Sequence, residues 1–69
     1  MHAYDILPKG TPAPASGWYV VVTVYSTGLT WFYGPYSYED AQTAFRELYN
    51  PSTQATGVPA YYNAGQKLQ

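Results

Sequence analysis

The sequence predicts a small α+β domain, in which an antiparallel β-hairpin or a three-stranded sheet in ββαβ order packs against one amphipathic helix. Three observations lead to this prediction. The chain has 69 residues, which suffices for one domain. A run of β-branched and aromatic residues is interrupted by a turn signal. A later segment repeats its apolar residues at the spacing of a helix.

Residues 1–17 predict an extended, proline-rich N-terminal arm. They contain three prolines and two glycines, and they show neither helical nor strand periodicity. We expect this arm either to lack fixed structure or to cover a partner surface through Tyr4, Ile6 and Leu7. The domain itself would then span residues 18–63.

Residues 18–25, WYVVVTVY, are followed by Ser26-Thr27-Gly28 and then by LTWFY, which predicts a β-hairpin. A two-residue turn at Thr27-Gly28 places Val24 opposite Trp31, whereas a three-residue loop with Gly28 in the left-handed conformation shifts this register. With either loop the side chains alternate between two faces. One face carries Trp18, Val20, Val22, Val24, Trp31 and Tyr33. The other face carries Tyr19, Val21, Thr23, Tyr25, Thr30 and Phe32.

A break at Gly34-Pro35-Tyr36 predicts the end of the second strand, and Ser37 has the pattern of a helix N-cap. The helix is expected over residues 38–49, because Asn50 precedes Pro51 and is disfavoured in helical geometry. Its apolar face is formed by Ala41, Ala44, Phe45, Leu48 and Tyr49.

The C-terminal third of the chain predicts little regular structure. Residues 58–63 are expected to add a short third strand, which Pro59 restricts to a sheet edge or a strand start. Residues 64–69 are expected to form a frayed tail, because the last residues, 65–69, offer nothing to bury.

Composition and charge argue against several classes of function. There is no Cys, the single histidine is His2, and the few carboxylates are not paired for acid-base work, so we expect no enzyme, metal site or cofactor. No glycine-rich phosphate loop is present. A net charge of −1 with three basic residues does not favour nucleic-acid binding. The longest apolar run, residues 18–22, is too short to span a membrane, so we expect a soluble, cytoplasmic protein.

The hairpin is the candidate binding surface. The 22 residues from Gly17 to Tyr38 contain no charged side chain, so neither hairpin edge is guarded against pairing with another chain. One helix covers one face, and the more apolar face that contains Trp18 is its expected target. The opposite face would remain exposed for a protein partner. The predicted partner-binding residues are Tyr19, Val21, Tyr25, Thr30, Phe32 and Tyr36.

Two other hypotheses use the same surface. A chain this short often needs a partner for stability, so the face could be buried against a second copy in a homodimer or larger assembly. Aromatic rings also stack on sugars, which would make the chain a glycan or small-ligand binder. In support of this alternative, residues 18–25 resemble the first strand of the small sporulation-related repeat domain that binds glycan strands.

The order of elements over residues 18–63 carries one further resemblance. A Trp-led strand, a short turn, an aromatic strand, the Gly34-Pro35-Tyr36 break, the S-Y-E-D-A helix start and a late edge strand follow one another. This layout resembles the small phage-encoded ββαβ proteins that bind and inhibit host enzymes, such as the podophage inhibitors of bacterial RNA polymerase. The resemblance implies a modulator or inhibitor of a host protein that acts in the host cytoplasm.

Overall fold

The computed structural model describes residues 4–69, which form an antiparallel sheet of five strands with one helix on one face. The α+β class is therefore confirmed, although the sheet has more strands than the two or three predicted. The elements in chain order are β1 (Asp5–Pro8), β2 (Gly17–Val24), β3 (Thr30–Tyr36), α1 (Tyr38–Leu48), β4 (Gln54–Thr56) and β5 (Ala60–Tyr62).

The predicted hairpin forms the centre of the sheet. β2 pairs with β3 in the register Val20 to Tyr33 and Val22 to Trp31. The connection is longer than either loop predicted, since four residues, 25–28, separate Val24 from Leu29, whose carbonyl accepts the Val24 N–H at 3.0 Å. Gly28 has a φ of 71°, as the longer of the two predicted loops required. The observed register differs by two residues from the register predicted for the two-residue turn. Because the shift is an even number, each side chain keeps its predicted face.

Neither edge of this hairpin is free, contrary to the prediction. β1 pairs with β3 along its outer edge, while β4 and β5 pair in turn with the two halves of β2. The edges of the whole sheet are instead two very short strands on one side and β1 on the other, which carries Asp5 and Pro8. Charge, proline and short length are the usual means of protecting a sheet edge. The predicted third strand, residues 58–63, corresponds to β5, whereas β4 lies before it in a segment for which no strand was predicted.

β3 does not end at Gly34 as predicted but continues through a cis Gly34-Pro35 peptide to Tyr36. The pairing with β2 is irregular there, because Trp18 lies opposite Tyr36 while Val20 lies opposite Tyr33. Gly34 has a φ of 154°, and a Cβ at this position would lie 2.8 Å from the Trp18 carbonyl oxygen and 2.6 Å from the Tyr19 ring. The approach of the two strands therefore depends on glycine.

The helix begins where the sequence predicts. Ser37 is the N-cap, and its Oγ accepts a hydrogen bond from the Asp40 N–H at 3.2 Å. Ala41 and Ala44 are buried against Val20 of β2 and Tyr36 of β3. Of the predicted apolar face only Tyr49 behaves differently, since it is the C-cap residue and 57% of its surface is exposed.

The second face of the sheet is covered by the two terminal segments, residues 10–13 and 65–68. They bond to one another through the Gly10 N–H to the Leu68 carbonyl at 2.7 Å, the Leu68 N–H to the Thr11 carbonyl at 3.0 Å, and the Ala13 N–H to the Gln66 carbonyl at 2.8 Å. Leu68 is fully buried against Ala13 and two hairpin aromatics.

The predicted division into arm, domain and tail is therefore wrong for residues 4–17 and 64–69, which belong to the same core as the hairpin. A single leucine near the end of a polar segment has no periodicity from which its burial could be predicted. The remainder of the predicted arm, residues 1–3, lies outside the described residues.

We expect Leu68→Ala to lower the free energy of unfolding by about 2 to 5 kcal/mol, because it leaves a cavity beneath the terminal segments. Leu29→Ala is the matched control, since 54% of Leu29 is exposed, and it should change stability by about 0.5 kcal/mol or less. Urea unfolding followed by circular dichroism measures both. Equal losses in the two variants would contradict the burial of Leu68.

Gly34→Ala should be more destabilising than Gly28→Ala, although both residues have positive φ. An added Cβ at Gly28 meets no atom within 4 Å, so the cost there is backbone strain of about 1 kcal/mol. At Gly34 the methyl group also collides with the neighbouring strand, which adds about 2 kcal/mol. Urea unfolding of both variants measures the difference, and identical stabilities would show that the strands separate without cost.

Candidate functional site

The six predicted partner-binding residues do not form an open surface. Tyr19 and Phe32 are buried with 1% and 3% of their surface exposed, and Tyr36 is buried beneath the helix with 5% exposed. Val21 and Thr30 are partly buried, and only Tyr25 is well exposed, on the hairpin loop. The expectation that Tyr19 and Phe32 are exposed in the isolated chain is wrong, because residues 10–13 and 65–68 cover their face.

Tyr19 has a structural environment. Its hydroxyl donates to the Ala15 carbonyl at 2.6 Å, and its ring meets the Tyr62 ring edge to face with a centroid distance of 5.7 Å. Phe32 contacts the same Tyr62 ring at 5.9 Å. Burial raises the pKa of Tyr19 above its ordinary value, so its phenol stays protonated and hydrogen bonded.

The exposed apolar surface lies instead on the helix side of the sheet. α1 packs on Val20 of β2 and on the end of β3, so the part of this face formed by β1 and the outer half of β3 is not covered by the helix. Register pairs Ile6 with Tyr33 and Pro8 with Trp31 on the same face as Val20. We refer to Tyr4, Ile6, Trp31 and Tyr33 as the aromatic strip.

Two members of the aromatic strip are well exposed, with 43% of Tyr4 and 53% of Ile6 accessible, while Trp31 and Tyr33 are partly buried. Sequence reasoning missed this surface because two of its four residues, Tyr4 and Ile6, lie in the segment that was predicted to be an irregular proline-rich arm. The one available signal was the apolar content of residues 4–7, which had suggested contact with a partner.

A small cleft lies where the aromatic strip meets the helix. It has a volume of about 90 Å³ and is lined by Tyr4, Tyr33, Tyr36, Ala44, Glu47 and Leu48. The Tyr4 ring contacts both of the other rings, with centroid distances of 6.1 Å to Tyr33 and 5.4 Å to Tyr36 and tilts of 42° and 37°. We call this site the tyrosine cleft. Glu47 supplies the one carboxyl group among these lining residues.

The environment of the cleft keeps the phenol of Tyr36 protonated. Burial, reinforced by the neighbouring Tyr4 and by Glu47, raises the pKa of Tyr36 to about 12. The Tyr36 phenol is therefore neutral under physiological conditions and is unsuited to act as a base. Tyr33 and Asp40 contribute to the same shift.

A second aromatic group lies at the opposite side of the helix. The Trp18 ring contacts Tyr38 of α1 at 4.8 Å and Tyr61 of β5 at 5.7 Å, in both cases close to edge to face. Tyr38 and Tyr61 are each 52% exposed. The Tyr38 hydroxyl accepts a hydrogen bond from Gln42 Nε2 at 2.8 Å, which fixes its ring on the helix surface.

Two properties complete the description of residues 4–69. No group of three or more His, Cys, Asp and Glu side chains in this part of the chain is placed to hold a metal ion. The single helix found there is also too short and too polar to cross a membrane.

The free energy of unfolding is expected to fall as the pH rises from about 10 to about 12. The pKa of Tyr36 is higher in the folded than in the unfolded chain, so its stabilising contribution is complete below about pH 10 and is lost as the pH approaches 12. Tyr36→Phe should weaken this dependence, with Tyr25→Phe as the control at an exposed phenol. Urea unfolding at about pH 9 and about pH 11 provides the measurement. A Tyr36→Phe variant with the wild-type pH dependence would contradict the assignment.

Comparison of the chain with protein-family models, with curated proteins and with solved structures gave no match.

Proposed function

We propose that this chain is a non-enzymatic protein-binding module and that the aromatic strip is the surface that contacts the partner. One observation carries the proposal. Apart from its loop, the uncharged hairpin is largely enclosed by strands, helix and terminal segments, yet the partly buried Trp31 and Tyr33 lie beside the exposed Tyr4 and Ile6. Aromatic side chains provide large contact areas with little loss of rotamer entropy, and they are enriched in protein interfaces.

The position of the aromatic strip supports this role. Ile6, Trp31 and Tyr33 belong to paired strands, so binding would not require a loop to become ordered. Glu47 stands on the helix side of the strip. An apolar centre with a charged residue at its margin is a usual feature of interfaces between proteins.

The alternatives now require different surfaces. Self-association was predicted through a face that the terminal segments cover, so a homodimer would use a different surface, for which the aromatic strip is the candidate. Glycan binding stays a prediction, as does the role of a phage-encoded modulator of a host enzyme.

A double variant, Ile6→Thr with Trp31→Thr, tests the proposal, since threonine keeps β propensity while removing apolar area. The matched control is Tyr25→Thr with Val58→Thr, at residues that are 59% and 72% exposed outside the strip. Wild type and control should capture a partner from a lysate of the source cells and bind it about 30-fold more tightly than the strip variant. All chains are first shown to be folded by circular dichroism.

Equal capture of the same proteins by both double variants would contradict the proposal. Sedimentation of the wild-type chain alone over about a hundredfold concentration range accompanies the capture. A mass that rises with concentration and is reduced in the strip variant would identify a second copy as the occupant, and the homo-oligomer would replace the proposed function.

A further inference from the structure

We propose that the tyrosine cleft binds a quaternary ammonium group, supplied by a trimethylated lysine side chain of the protein partner. The assignment of the partner rests on the proposed function, whereas the affinity of the cleft for the ammonium group can be tested alone. Three properties of the cleft carry the inference: its size, its rings and its charge.

The size of the cleft limits its occupant. Its volume of about 90 Å³ is well below the roughly 300 to 1,000 Å³ of pockets that enclose a whole small molecule. The cleft therefore accommodates one compact head group or the end of one side chain. Its position beside the aromatic strip allows a partner bound there to insert such a group.

The rings favour a positive charge. Tyr4, Tyr33 and Tyr36 all line the cleft, and the tilts of 37° to 42° between neighbouring rings keep their planes from stacking flat on one another. The π face of each ring is negative, and a cation within about 6 Å of a ring centroid is attracted to it. Centroid separations of 5.4 and 6.1 Å bring such a cation within reach of more than one ring.

The charge of the lining points to the same ligand class. Glu47 supplies a carboxylate, and no lysine or arginine is among the lining residues. Arg46 follows the other side of the helix, where its guanidinium donates to Thr43 Oγ1 at 3.4 Å. An anion would be repelled by this carboxylate, whereas a cation would be attracted to it.

The apolar residues that line the rest of the cleft favour a methylated cation over an unmethylated one. An unmethylated ammonium carries three N–H donors that all need acceptors once water is removed. The cleft offers Glu47 and phenol oxygens, but its other walls are the apolar Ala44 and Leu48. A trimethylammonium group has no N–H donor and can place methyl groups against these walls while its charge faces the rings.

Choline and its neutral isostere dimethylbutanol are the probes, because they share a shape and differ in charge. Each is titrated into the full chain while the backbone amide signals of Ala44, Glu47 and Leu48 are followed by NMR. Choline should shift these signals and bind about fivefold more tightly than the isostere. Equal affinities, or no shift with choline at tens of millimolar, would overturn the inference.

Variants at matched positions locate the charge. Glu47→Gln should weaken choline binding about fivefold, whereas Glu39→Gln, which makes the same change of net charge elsewhere on the exposed helix surface, should leave it unchanged. Tyr33→Leu should weaken binding further while leaving an apolar side chain in place. Equal effects of the two Glu→Gln variants would show that net charge, and not the cleft, attracts the ligand.

Peptides test whether a trimethylated lysine can supply the ammonium group, and the choline and capture experiments together separate this inference from the proposed function. A trimethyl-lysine peptide should bind more tightly than the same peptide with unmodified lysine, and equal binding would overturn the assignment of the side chain. If choline fails to bind while the strip variant still loses the partner, this inference falls and the proposed function stands. If choline binds and the strip variant captures normally, the cleft stands and the proposed function falls.

Discussion

The fold depends on enclosing a β-hairpin that has no charged side chain. β2 and β3 together have unpaired backbone groups at two edges and apolar or aromatic side chains on two faces. Exposure of these side chains to water is unfavourable. The chain responds by pairing β1 with one edge, β4 and β5 with the other, and by covering one face with α1 and the other with the terminal segments. The hairpin that looked like an unprotected surface is therefore the interior.

The terminal segments take the place of the external stabilisation that a chain of 69 residues often needs. Residues 10–13 and 65–68 are far apart in sequence, and their mutual hydrogen bonds close the chain around Tyr19 and Phe32. Tyr19 connects these features, because its ring packs against Tyr62, its hydroxyl is bonded to Ala15 and Gly34 makes room beside it. The chain has no cysteine to form a disulfide, and residues 4–69 contain no group of three or more His, Cys, Asp and Glu side chains placed to hold a metal ion.

The exposed part of the helix face of the sheet is the part that the single helix does not cover. α1, with eleven residues, lies over β2 and leaves β1 and the part of β3 next to it uncovered, and the aromatic strip is found there. The tyrosine cleft forms where the strip meets the helix, since Ala44, Glu47 and Leu48 of α1 line one side of it and the tyrosines line the other. Binding surface and core therefore share residues, and Tyr36 belongs to both as a buried residue whose ring lines the cleft.

The local elements could be predicted from the sequence, because the hairpin with its two alternating faces, the Ser37 cap and the apolar face of the helix all arise from neighbouring residues. Which surface is exposed depends instead on contacts between distant parts of the chain. β1 has four residues with a proline, and Leu68 is a single apolar residue in a polar tail, so neither has a period that predicts burial. β1 is placed by its pairing with β3, which satisfies the backbone groups at that edge of the hairpin. Leu68 is placed by the hydrogen bonds between its segment and residues 10–13, which hold it against the other hairpin face. The aromatic strip and the tyrosine cleft, which join β1, β3 and α1, could be recognised only once those pairings were known.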